Sequence, residues 1–251
     1  MIQSVDRAIQ ILLALQDERL LGVSDLAARL GLAKGTVHGI LQTLAGRSLV
    51  EQDTASGKYT LGPALLVMGN VYLDSHDLRV RAMRWVAALN EQTAHAVRVG
   101  VLVWPDVVVV HHLPARDVRI AVPEVGLGMP AHATCLGKVI LAFHPDREEL
   151  VGSEHLARLT GATVTDPAVL RAELDEIRST GLARESQEAV VGESGVAGAV
   201  FAAGGRVVGA VSVVLSTPDL AHDVAPVEAA VRETARAISR ELGSSGWPPS
   251  R

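Results

Sequence analysis

Cys135 is the single cysteine of the 251-residue chain, and His132 stands three positions before it. A thiol beside an imidazole could act as nucleophile and base, or the two could form one edge of a metal site completed by His111 or His112. Neither reading completes itself. The pair lacks a third group to orient the base, and no second tight ligand pair accompanies it. Gly192-Glu193-Ser194-Gly195 has the outline of a nucleophile turn, but Val196 stands where such a turn needs glycine. The ordinary expectation is a buried cysteine and a hydrogen-bonded histidine, with no catalytic residue, metal ligand or cofactor assigned.

Two other groupings suit binding. The loop Gly126-Leu127-Gly128-Met129-Pro130 opens a helix, whose first N–H groups lack intrahelical partners and whose dipole favours an anion. A carboxylate or phosphate could dock at the amides of Thr134, Cys135 and Leu136, between apolar walls from Val97, Val99, Met129 and Val196. The second grouping lies on a helix from about Lys34 to Ala45. Its apolar positions Val37, Ile40, Leu41 and Leu44 share one face, and Gly35, Thr36, His38, Gly39, Gln42 and Thr43 fall opposite. Lys34, Thr36 and His38, with the amides around Gly35, would face a DNA duplex, and Gln42 one turn on could read a base edge. Arg7, Arg47, Lys58 and Tyr59 would touch phosphates, and Ser24 would head the preceding helix on the same side.

The elements that must hold these residues follow from periodicity and punctuation. Val5, Ala8, Ile9, Leu12 and Leu13 recur at helical spacing behind Ser4 as cap; a second helix runs from the cap Ser24 through Leu26, Ala27 and Leu30 to Gly31. Ala27 and Gly31 permit the close crossing and tight turn of a helix-turn-helix, with Leu26, Leu30, Leu32, Val37 and Ile40 as shared core. Short strands at 49–52 and 58–61 flank Asp53-Thr54-Ala55-Ser56-Gly57, so three helices and a hairpin give the winged-helix order. The spacing predicts a winged helix-turn-helix over 1–62, a linker helix over 63–77, an α+β domain over 78–243 and a disordered tail over 244–251. Within the α+β domain the pattern predicts a helix at about 78–91 and strands at 96–103, 107–113 and 117–124. A helix up to His144-Pro145 and one from Asp166-Pro167 to Gly181 follow, then a hairpin over Gly204-Gly205 and a helix at about 224–242.

Net charge is -5, with pI about 6.0, and residues 1–75 hold six basic side chains against seven acidic ones. Phosphate neutralisation needs cations, so DNA affinity must rest on local geometry and on two copies acting together. One cysteine excludes an internal disulfide. The chain has no run of about 18 uncharged apolar residues and no signal-like start, so a cytoplasmic protein without membrane contact is expected.

Several segments in order resemble the IclR family of bacterial transcription regulators, over about Ser4 to Leu242. They are Ser4-Val5-Asp6-Arg7-Ala8 with Ile11-Leu12, the stretch from Ser24 to Val50, and Gly57-Lys58-Tyr59-Thr60-Leu61-Gly62. His132-Ala133-Thr134-Cys135-Leu136-Gly137-Lys138 and Gly181-Leu182-Ala183, followed by Glu188 and Gly192, complete the set. Ala33-Lys34-Gly35-Thr36-Val37-His38-Gly39-Ile40-Leu41 is most similar to the glycerol-operon regulators of that family, most members carrying Arg at the place of Gly39. The resemblance implies a GAF-like effector domain with a mainly antiparallel sheet flanked by helices. It implies that Glu185, Glu188 and Ser212 add contacts to the effector site at Met129, Thr134, Cys135 and Leu136. An acidic pair beside an anion site suits hydroxyls, as in a polyol phosphate or hydroxy acid. Gly195 to Ala199 departs from the pattern, since members often begin that strand with Cys or Ser and end it with Pro. The resemblance further implies a homodimer made by the N-terminal domains and linker helices, often paired into a homotetramer, and no catalysis. The expected function is a repressor of double-stranded operator DNA controlled by a small organic effector such as glycerol 3-phosphate. The alternative is a metabolite sensor with weak or no specific DNA binding, for which Gly39 is the support.

Overall fold

The computed structural model describes residues 2–118, 122–153, 156–222 and 224–249. It divides into two compact units, residues 1–75 and 76–251.

The first unit contains α1 (Gln3–Asp17), α2 (Val23–Leu30), α3 (Lys34–Ala45), β1 (Val50–Gln52), β2 (Tyr59–Leu61) and α4 (Ala64–Ser75). Ile11, Ala14 and Leu15 of α1, Leu26 and Ala27 of α2, and Val37, Leu41 and Leu44 of α3 make one core; the stripe expected for α1 is corrected, since Val5, Ile9 and Leu13 are exposed and Ala8 and Leu12 only half-buried. Leu30, Leu32 and Ile40 pack against it, half-buried. Gly31 closes α2 in the left-handed region (φ 64°), which turns the chain toward α3. Ser4 and Ser24 are not the caps. The helices begin one residue earlier, and the α2 start is tied by the Asp25 carboxylate, which accepts from the Gly22 N–H at 3.0 Å. β1 and β2 pair antiparallel with Gln52 opposite Tyr59, and Tyr59 also exchanges both backbone hydrogen bonds with Leu21. That third partner turns the Tyr59 ring into the core.

The second unit holds α5 (Asp77–Thr93), β3 (Ala96–Val103), β4 (Asp106–Leu113), β5 (Gly128–Pro130), α6 (Cys135–Phe143), α7 (Arg147–Ser153), α8 (Pro167–Thr180), β6 (Leu182–Ser186), β7 (Glu193–Phe201), β8 (Val207–Ser216), α9 (Thr217–His222) and α10 (Ala225–Glu241). The strands form one six-stranded antiparallel sheet in the order β5-β4-β3-β8-β7-β6. Helices α5 and α10 cover one face, and α6 with α8 behind it covers the other. Asp166 caps α8 through the Ala168 N–H, Pro167 occupies its first turn, and Gly181 ends it at φ 73°.

Two further expectations are corrected, and one strand was not foreseen. No strand runs over 117–124: residues 117–118 and 122–124 are irregular, residues 119–121 lie outside the described residues, and the short β5 takes the place beside β4. Pro123 has no N–H to give a ladder there. Strand β6, five residues with two charges, has too little alternation to be read in advance. Residues 244–249 of the tail are packed: Trp247 is buried, its Nε1 donates to Ala199 O at 2.6 Å, and the Ser244 hydroxyl donates to Gly246 O.

Candidate nucleic-acid interface and effector pocket

Helix α3 presents Lys34, Gly35, His38, Gly39, Gln42 and Thr43 to solvent, opposite the buried Val37, Leu41 and Leu44. Thr36 is half-buried at the edge. The helix has no acidic residue and no side-chain cap, so the N–H groups of its first turn face outward without a local anion to compete for them. A Cβ built at Gly35 or Gly39 would meet nothing within 4 Å, so internal packing demands neither glycine. Arg47, Lys58 and Ser24 are exposed and Arg7 is half-buried. Tyr59, expected to touch phosphate, is only 1% exposed and belongs to the core. At the foot of the wing, a Cβ at Gly62 would fall 2.3 Å from Ser48 O, which fixes glycine there.

In the second unit, Met129, Thr134, Cys135, Leu136, Glu185 and Ser212 line one cavity, together with Arg98, Ala189, Glu193, Ser194, Gly195 and Val214. The cavity encloses about 20 Å³, room for about one water. Strand register explains who lines it. Arg98 on β3 stands opposite Ser212 on β8, and Val214 opposite Gly195 on β7, all on the α6 face. Val97, Val99 and Val196, expected as walls, alternate onto the other face with Val211 and Val213. That face packs on α5 and α10, where a Cβ at Gly198 would meet Ala235 and Val231 and one at Gly209 would meet Leu78. Thr134 caps α6 by accepting from the Gly137 N–H. A Cβ at Gly195 would lie 2.8 Å from Cys135 Sγ, so the thiol fills the space that a side chain at 195 would use.

Glu188 does not line the cavity. Lys138, fully buried, reaches its Oε1 at 2.5 Å and the two oxygens of Glu173 at 2.8 and 2.9 Å, while Glu188 Oε2 accepts from the Val164 N–H. Two side chains missed by sequence reasoning, Arg98 and Glu193, face the pocket. Arg98 is 8% exposed and is gripped by Glu124 through Nε (2.5 Å) and Nη2 (3.0 Å), and by Glu193 at 3.3 and 3.4 Å. Burial works against the Arg98 charge, but the two carboxylates overcome it and raise its pKa further.

Burial pushes the Cys135 thiol up to about 12, with Glu185 adding to the shift. Burial also lifts Glu185 to about 7, against N–H bonds from Glu188 and Ala189. His132 Nε2 sits 3.0 Å from Ala157 O, and among the described residues no cluster of three His, Cys, Asp or Glu is placed to hold a metal. Because the folded pKa of Glu185 lies above its ordinary 4.5, its favourable contribution is complete below about 4.5 and is lost as pH rises through 7. Glu185→Gln should therefore flatten the pH dependence of unfolding between pH 5 and 8, and raise stability at pH 8 by up to about 3 kcal/mol. Urea melts at several pH values check this; an unchanged slope would refute it.

Comparison with known proteins bears on the family. The IclR helix-turn-helix domain model matches residues 4–54, and the model for the C-terminal domain of bacterial transcriptional regulator IclR matches residues 70–240. The chain is 44% identical over 247 residues to a glycerol operon regulatory protein of Streptomyces griseus, covering 97% of each chain. It is 40% identical to one of Streptomyces coelicolor, at the same coverage. A crystal structure described as a putative IclR transcriptional regulator from Silicibacter sp. matches with a TM-score of 0.83 at 25% identity, over 96% of this chain and 97% of that one. An acid-free helix face and a wing in one unit, a small cavity lined by buried charged and apolar side chains in the other, and both domain models in order lead to one statement: the chain belongs to the IclR family of DNA-binding transcriptional regulators.

Proposed function

We propose that this regulator is a cytoplasmic homodimeric repressor of a glycerol-utilisation operon, released by a small polar metabolite bound in the cavity around Cys135 and Arg98. The observation that carries the reading is the exposed face of α3. Lys34, His38 and Gln42 stand on successive turns with no carboxylate among them, beside exposed Arg47 and Lys58. Dimerisation supplies what the charge balance lacks, since two α3 helices about 34 Å apart would engage successive major grooves and double the phosphate contacts. Support for a second copy comes from exposed apolar surface. α4 buries nothing and exposes Leu66, Val67, Met68 and Val71, while α1 exposes Val5, Ile9 and Leu13, and Ile2 before it is also exposed. Pairing of dimers into a tetramer is the further step in the same reading. A regulator rather than an enzyme is supported by the Cys135 thiol, held protonated, and by the backbone bond of His132. Among the described residues no helix is long and apolar enough to cross a membrane.

Footprinting on the gene's own upstream region tests the reading: a protected pseudo-palindrome is expected, and failure to shift that DNA at micromolar protein would overturn it in favour of a sensor without DNA binding. Gly39→Arg gives a second check. The added cation has open space on the reading face and replaces a helix-interior glycine, so binding to unrelated DNA should tighten about ten-fold. The slope of log K against log salt should steepen by about 2 per dimer. A salt titration showing no change in slope would place Gly39 away from DNA.

A further inference from the structure

Arg98 is the cation lining the cavity, and its partners are unequal. Glu124 holds it with two bonds of 2.5 and 3.0 Å, whereas Glu193 stands off at 3.3 and 3.4 Å. Bonds of the second length are weak, and the Glu193 side chain is 37% exposed, so its carboxylate regains water on leaving at little cost. Ser212 lies directly across the strand pair from Arg98, is 1% exposed, and lines the same cavity. A hydroxyl lining the cavity next to the guanidinium can donate to, or accept from, whatever the guanidinium holds. One guanidinium already faces two carboxylates, so a third anion can enter only by exchange.

We propose that Arg98 is the anion anchor of the effector pocket, that an anionic, hydroxyl-bearing metabolite takes the guanidinium edge now held by Glu193, and that Ser212 supplies the adjoining hydrogen bond. The assignment rests on reading the cavity as the effector site. Lys138, the other buried cation nearby, is committed to Glu173 and Glu188 and offers no exchangeable partner of this kind. Glu185, buried and with a pKa near neutrality, suits a metabolite hydroxyl better than a second negative charge. Glu193 begins β7 directly after the turn closed by Gln187 N–H to Glu193 O and Gly192 N–H to Gln187 Oε1. Those bonds use the Glu193 carbonyl and the Gln187 side chain, so the Glu193 carboxylate can leave Arg98 with the turn intact.

Calorimetry of the full chain against sn-glycerol 3-phosphate, D-glycerate and neutral glycerol tests the proposal. At least one anion should bind and glycerol should not. Glu193→Gln, which removes the competitor, should tighten the anion about ten-fold; Ser212→Ala should weaken it about ten-fold and Arg98→Lys about a hundred-fold. Arg98→Met paired with Glu124→Gln avoids stranding a buried carboxylate and should also lose the anion while unfolding cooperatively. The proposal is overturned if neither anion binds, if glycerol binds as tightly as they do, or if Glu193→Gln and Arg98→Lys leave anion affinity unchanged. A gel shift run beside it separates the two levels. Operator binding that responds to glycerol alone would keep the effector-controlled regulator and discard the Arg98 assignment, whereas loss of operator binding in the wild-type chain would remove the regulator reading itself.

Discussion

Lys138→Met is expected to lower the stability of the second unit by about 3–5 kcal/mol, the largest loss from any single side chain described above. The ammonium is fully buried and meets three carboxylate oxygens within 2.9 Å, so its removal strands Glu188, itself buried, and Glu173 beside it. The cost lies in the abandoned charges more than in a lost attraction. It follows that Lys138→Met combined with Glu173→Gln and Glu188→Gln should recover most of the stability, because the neutral amide introduced at 188 keeps an oxygen that can accept from the Val164 N–H. Urea unfolding followed by circular dichroism reads both variants. A single-variant loss below about 1 kcal/mol would show that the three groups are not a closed buried cluster.

In the proposed homodimer, Val71→Glu should abolish dimerisation and weaken operator binding at least about a hundred-fold, with no loss of helical content. Val71 is 66% exposed in the middle of α4, where the neighbouring Leu66, Val67, Met68 and Tyr72 are also uncovered. A carboxylate costs the folded protomer nothing in that position. Set against the same patch of a second copy, it places two like charges in an apolar contact. Light scattering gives the mass and a gel shift the affinity. A protomer-sized species that still binds the operator at wild-type strength would break the link between α4, the dimer and DNA reading.

Helix α3 was legible because its information is local: a 3.6-residue period sorts Val37, Leu41 and Leu44 from Lys34, His38 and Gln42 without reference to any other segment. The pocket's loop-helix side was legible for the same reason, since Pro130 and the polar cap Thr134 sit within a few positions of one another. What escaped the sequence depends on strand parity and distant pairing. Tyr59 alternates with Lys58, and only its bridge to Leu21 settles that the ring goes inward. Val97 and Arg98 are neighbours on opposite faces, and the register with β8 decides which of them meets the cavity. Glu188 reads as a free acid until α6 brings Lys138 beneath it, fifty positions away in the chain. Arg98 carries no motif at all, because its role is defined by Glu124, Glu193 and Ser212 arriving from three other segments.

The packed end of the chain has a consequence for what position 181 can hold. The indole of Trp247 lies so close over Gly181 that a Cβ at 181 would come within 2.9 Å of its ring, and Gly181 also sits at φ 73°. Position 181 is thus closed to a side chain twice over, by the ring above it and by its own backbone conformation, so clearing the ring alone would not open it.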